Sequence, residues 1–281
     1  ITRSGSGGLV LTTGSGSVSG SGTISLGGGS SISSSSGATV ENNISLANGD
    51  ATFNQSGTAT YSGVISGSGN FIKAGLGTIT VSGANTYTGD TTLNAGTLTV
   101  SGTLSDSTDV IVNSGTTYDV NTNDTIQSLT GAGTIDIASA RTLTAGGDNG
   151  NESVTGNFTG AGNFTKQGSG TYTLLGGSNS TSGLFTSSEG ELVFKGTFSG
   201  SPHLRNNATF TLDNDITFAS VEGSGTFSIP DTLTLTTGDN GNNAITGTLS
   251  GNGTLVKQGN GTLTLSGTNS SFTGAININV G

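Results

Sequence analysis

Residues 65–83 read ISGSGNFIKAGLGTITVSG, a lysine set among glycines and followed at once by an alternation of threonine with isoleucine and valine. The stretch returns as FTGAGNFTKQGSGTYTLLGG at 158–177 and as LSGNGTLVKQGNGTLTLSG at 249–267. Its lysines, Lys73, Lys166 and Lys257, are therefore separated by 93 and 91 residues. The register reaches beyond the motif: LTAGGDNGNESVTG at 143–156 matches LTTGDNGNNAITG at 235–247, and LTVSGTL at 98–104 matches LVFKGTF at 192–198. Tandem units of about 92 residues fill the chain from residue 98 onward, preceded by the end of a third. Fixed-period self-similarity of this kind marks a repeat architecture.

Within each unit apolar residues alternate with Thr or Ser, as in Thr78-Ile79-Thr80-Val81, Thr97-Leu98-Thr99-Val100 and Thr262-Leu263-Thr264-Leu265. Period-two runs bounded by Gly, Asn, Asp and Ser read as strands, and no stretch sustains a helical period. The small apolar content of each strand and the long tandem period favour a parallel β-solenoid over a sandwich or barrel, with Leu, Ile, Val and Phe stacked inward and Thr and Ser outward. At about 20–25 residues per coil, a unit makes four coils and the chain roughly twelve. At about 4.8 Å per coil that stack extends about 60 Å. Residues 1–60 form a Gly/Ser-rich start of the solenoid, where pieces such as Ile24-Ser25-Leu26 and Ile44-Ser45-Leu46 keep the pattern with shorter side chains; residues 61–281 carry the repeats, in one continuous domain.

Composition narrows the chemistry. Of 281 residues 51 are glycine, 30% are hydrophobic and 9% charged, and there is no Cys, so disulfides, thiolate metal sites and cysteine nucleophiles are excluded. A net charge of −10 argues against nucleic acid as partner. No apolar run is long enough for a membrane helix and no leader opens the chain, which reads as a processed or partial sequence.

Residues 67–102, from GSGNFIKAGLGT through SGANTYTG to NAGTLTVSG, resemble the passenger-associated transport repeat of bacterial autotransporters (type V secretion). Lys257, Gly259, Gly261, Thr262 and Asn269 keep the pattern in the last copy, with Phe272 in the place of Tyr87; the middle copy departs after Leu175. The resemblance implies a right-handed parallel β-helix on or released from the outer membrane of a Gram-negative cell. It implies as partner an outer-membrane β-barrel translocator outside this chain. The chain is then expected to be a piece of passenger, without the signal peptide and barrel.

The candidate sites weigh against enzyme chemistry. The three motif lysines read as groups at a turn, trimming a corner formed by Gly75 and Gly77, with Phe71, Ile79 and Val81 inward. The turns GGDNGNE at 146–152 and GDNGNNA at 238–244 offer oxygen ligands for calcium, but only Asp148 and Asp239 are constant, Glu152 being matched by Asn243; they read as plain Asn/Gly turns. Asp106 with Asp109, and Asp213 with Asp215, are near in sequence, whereas Arg3, Arg141 and Arg205 are far apart. His203, the only histidine, lies in a loop-like SPHLRNN without a partner acid nearby. Thr-Xaa-Thr pairs, which build ice-binding faces in some solenoids, recur at uneven intervals and are placed on different sides. No catalytic, metal or cofactor site is expected, and the ligand-binding residues are unassigned. The reading is a non-enzymatic structural or adhesive surface protein that contacts other copies of itself or a host or neighbouring cell. The alternatives are a fibre subunit stacking end to end and a carbohydrate-active β-helix.

Overall fold

The computed structural model describes residues 9–34, 36–238, 241–269 and 271–279. Every regular element among them is a β-strand, and every strand pairing that joins them is parallel. The chain divides into two compact units, Ile1–Leu143 and Thr144–Gly281.

In the first unit the longest sheet takes one strand from each coil, in the order Val10–Thr13, Ser30–Ser34, Asp50–Gln55, Asn70–Ala74, Thr91–Leu93, Asp109–Val112 and Ser128–Gly131. The next side is a sheet running from Ala38–Val40 through Thr58–Tyr61, Thr78–Val81, Thr97–Val100 and Thr117–Val120 to Thr134–Ile137. A third side is built early in the unit by Ile24–Leu26, Ile44–Leu46 and Ile65–Gly67. The second unit repeats the plan, with Glu152–Val154, Thr171–Leu174, Glu191–Phe194, Thr209–Leu212, Thr226–Ser228, Thr248–Gly251 and Ser271–Phe272 in its longest sheet. Each strand meets the next coil's strand rather than its own neighbour in sequence, which defines a β-solenoid. Among the described residues there are about thirteen turns, against the roughly twelve expected.

Alternation explains the core. Ile79 and Val81 are buried, as are their partners Leu98 and Val100 in the next coil and Tyr118 and Val120 beyond. Outward Thr78 and Thr80 pair with Thr97 and Thr99. In the Gly/Ser-rich start the same inward positions are filled by small residues, with Ser30, Ser34, Ala38 and Ala51 buried. Each fully buried Leu, Ile, Val or Phe contributes about 1.5–3 kcal/mol, and a solenoid collects that from every coil.

The coil length corrects the sequence reading. Thr211 lies opposite Ser228 and Ser228 opposite Ser250, so coils run from 17 to 22 residues, shorter than a quarter of the 92-residue unit. In the second unit Lys166 ends the strand Asn163–Lys166, on the side preceding the longest sheet, and Lys257 ends Thr254–Lys257, on the side following it. Four coils separate the intervening strands Thr171–Leu174 and Thr248–Gly251. One sequence unit is thus four coils plus two further sides, and successive motif copies occupy different sides of the solenoid.

The threonine pairs also differ from expectation. In the first unit Thr58, Thr78, Thr97, Thr117 and Thr134 form one outward file in register. The companion file runs Thr60, Thr80, Thr99 and then Asp119 and Asp136, so the paired array ends after three coils, where Thr99 donates to Asp119 at 2.9 Å.

Candidate functional site

The motif lysines are not trim. Lys73, Lys166 and Lys257 retain only 0%, 1% and 7% of their surface. They take inward positions in their strands, and each side chain curls into the corner that follows. Lys73 Nζ donates to the carbonyls of Ala74 (3.1 Å), Gly75 (2.7 Å) and, from the next coil, Ala95 (2.8 Å). Lys166 Nζ donates to Gln167 at 3.2 Å and to Gly168, and Lys257 Nζ to Gln258 (2.9 Å) and Gly259 (2.7 Å). Three donors on an ammonium suit a corner whose turning backbone leaves carbonyls without ladder partners. Burial lowers Lys73 from its ordinary 10.5 to about 8, because carbonyl dipoles replace only part of the lost hydration. Burial lowers Lys166 as well, against the opposing charges of Glu189 and Asp148.

Glycine is required at this corner for two separate reasons. Gly75 has φ 76°, the left-handed region that side chains disfavour. Gly77 lies so close to the preceding coil that a Cβ there would sit 2.0 Å from the Gly57 carbonyl oxygen.

The motif asparagine binds coils on both sides. Asn85 accepts from Ile65 N (2.9 Å) and donates to Gly83 O (3.1 Å) and Thr103 O (2.7 Å). Asn269 accepts from Leu249 N at 3.0 Å. Where the middle copy departs in sequence, Asn179 performs the same task, accepting from Phe158 N (2.8 Å) and donating to Gly176 O and Thr197 O. Asn179 follows its lysine by 13 residues where Asn85 follows by 12, and that single-residue offset hid it from the sequence comparison.

The other singled-out groups are scattered among coil-to-coil bonds. In the first Asn/Gly turn Asp148 is exposed, Asn149 adopts φ 64°, and the side chains of Asn149 and Asn151 accept from Ser169 N and Thr171 N of the next coil. No group of three or more His, Asp or Glu suited to a metal ion occurs among the described residues; Asp239 and Arg3 lie outside them. Asp213 pairs with Lys195 at 2.7 Å, Asp215 accepts from Thr234 N, and Asp109 accepts from Ser128 Oγ. Arg205 pairs with Glu222 at 2.7 Å. His203 lies on the strand His203–Asn206 rather than in a loop, half-buried, its Nδ1 2.6 Å from Ser220 Oγ. The strand forms despite Pro202 because that proline precedes its first residue.

Sequence reading missed a set of interior polar networks. In the first unit Gln55 bridges Ser34 Oγ (2.5 Å) and Tyr61 Oη (2.8 Å), Tyr87 Oη meets Thr91 Oγ1 at 2.5 Å, and Tyr118 Oη donates to Asp124 Oδ2 at 3.4 Å. Asp124 also accepts from Leu104 N, and burial raises it from 3.8 to about 6. Burial likewise pushes Tyr61 up to about 12. The signal was present: a tyrosine at an inward position of an alternating strand needs a partner for its hydroxyl.

Buried lysines and asparagines repeating in glycine corners of a parallel solenoid describe a structural module. Residues 71–100, 164–194 and 255–281 match the family model of the passenger-associated transport repeat. The chain is 33% identical over 187 residues to the Adhesin BmaC autotransporter of Brucella suis biovar 1, an alignment covering 61% of this chain and 5% of that relative. No solved structure matches the chain. Three stretches of this β-solenoid thus match the passenger-associated transport repeat, and the chain is similar to a small part of an autotransporter adhesin.

Proposed function

We propose that this segment is a non-enzymatic structural and adhesive part of an autotransporter passenger, standing outside the outer membrane of a Gram-negative cell and touching a host or neighbouring cell. The observation that carries this is the use made of its reactive side chains. The motif lysines are sealed in corners, His203, Asp109, Asp213 and Asp215 are bonded between adjacent coils, and of the two outward files of the first unit's second sheet one is threonine throughout and the other ends in two aspartates. The naming of a relative as an adhesin supports the same reading. The translocator that such a passenger requires belongs to another part of the protein.

The test uses the purified chain, fluorescently labelled, added to cultured epithelial cells and to bacteria lacking the protein. Saturable binding competed by unlabelled chain is the expected result. Absence of binding to both overturns the adhesive role. Incubation with polysaccharides should release no new reducing ends, and their release would overturn the non-enzymatic role.

A further inference from the structure

We propose that a groove on the second unit is a binding site for a neutral saccharide. The groove holds about 300 Å³ and is lined by Phe198, Asp215, Ile216, Thr217, Thr234 and Thr236. Its volume, at the small end of the range for small-molecule sites, accommodates about one or two pyranose rings.

An interruption in one side of the solenoid accounts for the groove. The four-stranded sheet Ile216–Phe218, Thr234–Thr237, Thr254–Lys257 and Ala275–Ile278 starts at Ile216–Phe218. The coil before it has no strand on that side: between Glu191–Phe194 and His203–Asn206 the chain makes only an isolated bridge, Asn179 with Phe198. The sheet therefore begins next to a segment held on that side only by this bridge, and Phe198 lines the groove from that preceding coil. The Phe198 ring is half-buried, anchored edge-on against Phe185 (6.0 Å, 89°) and tilted against Phe194 (5.0 Å). Ring orientation is thus fixed by the core while part of the ring lines the groove.

The polar lining is complementary to a sugar. Asp215 is exposed and held by one oxygen only, Oδ1 accepting from Thr234 N at 2.7 Å, which leaves Oδ2 for ligand hydroxyls. Thr217 and Thr236 are opposite one another in adjacent coils, so their outward hydroxyls are spaced by one strand separation, about 4.8 Å. A fixed aromatic wall takes the C–H face of a pyranose, a carboxylate accepts from neighbouring hydroxyls, and threonines both donate and accept. The only charged lining group is a carboxylate, and the chain carries a net −10. Sulfated and uronic-acid glycans are therefore disfavoured by like charge.

This inference rests on the adhesive reading for its purpose, but its chemistry is tested separately. The probes are maltotriose, laminaritriose, triacetylchitotriose and a heparin tetrasaccharide, each titrated against the whole chain by saturation-transfer NMR and calorimetry. At least one neutral trisaccharide is expected to bind, and the heparin fragment not. Asp215→Asn keeps the acceptor for Thr234 N, and Thr217→Val keeps an exposed β-branched residue; each should weaken binding by about tenfold, since hydrogen-bonding sites discriminate strongly. Phe198→Leu should abolish it, with thermal melting recorded to show that the fold persists. No neutral sugar bound at millimolar concentration, preferential heparin binding, or affinity unchanged in both Asp215→Asn and Thr217→Val would overturn the proposal. A chain that binds sugar but no cells upholds the groove and fails the adhesive reading; one that binds cells but no neutral sugar does the reverse.

Discussion

The two units wrap the same outward alternation around different interiors. In the first, buried tyrosines at 61, 87 and 118 end in hydroxyls satisfied by Gln55, Thr91 and Asp124. In the second, Phe158, Phe164, Phe185, Phe194, Phe210, Phe218 and Phe227 form a continuous aromatic run. A hydrogen-bonded interior is sensitive to protonation and to loss of a single partner, because low dielectric makes an unpaired group costly. An interior packed with rings is sensitive to volume. The same fold therefore fails in different ways along its length.

The largest effect is expected where the aromatic run has most ring contacts. Phe194 contacts the rings of Phe185, Phe198, Phe210 and Phe218, so Phe194→Ala should destabilise the second unit by about 3–5 kcal/mol in denaturant melts. A loss below 1 kcal/mol would show that this interior is loosely packed.

Next comes the pH dependence of the first unit. Asp124 titrates at about 6 folded against 3.8 as its reference value, so between these values the folded chain holds a proton that the unfolded chain has lost. Its contribution is fully present below 3.8 and is lost as pH rises through about 6, a change of about 3 kcal/mol. Melts across that window should show the decline, and Asp124→Asn should flatten it. An undiminished slope in the variant would place the titration elsewhere.

A corner should be less costly to damage. Lys73→Met keeps the stem but strips the donors from the carbonyls of Ala74, Gly75 and Ala95, at about 1–3 kcal/mol. Raising the pH from about 8 towards 10.5 should stabilise the wild-type chain, because the unfolded lysine then binds the proton more tightly than the folded one. The smallest effect belongs to the exposed pair Lys195–Asp213, with side chains 54% and 44% exposed. Lys195→Ala should change stability by at most about 1 kcal/mol, and less in high salt.

These contrasts mark what the sequence could disclose. Thr78–Val81 and Thr97–Val100 are visible as strands because their period of two is local, and Gly75 and Gly77 as a corner because glycine punctuates it. Coil length was overestimated rather than hidden, since the 92-residue recurrence measures motif copies, whereas coils of 17 to 22 residues place dissimilar residues opposite one another, as Lys73 opposite Leu93. The lysines were misplaced for a physical reason. A charge is expensive to bury, and the carbonyl that completes the Lys73 cage comes from Ala95, 22 residues on in the next coil. The groove at Phe198 was invisible because it depends on strands missing from one side of two successive coils, which only the bridge between Asn179 and Phe198 joins there.

Amine acylation followed by mass spectrometry tests the corner cage most directly, because the chain has only four lysines. In the folded chain Lys195 should be modified rapidly while Lys73, Lys166 and Lys257 stay protected, all four becoming equivalent in denaturant. Modification of Lys73 at the rate of Lys195 under native conditions would contradict the account, returning the lysine to the surface where a first reading of GNFIKAGLG places it.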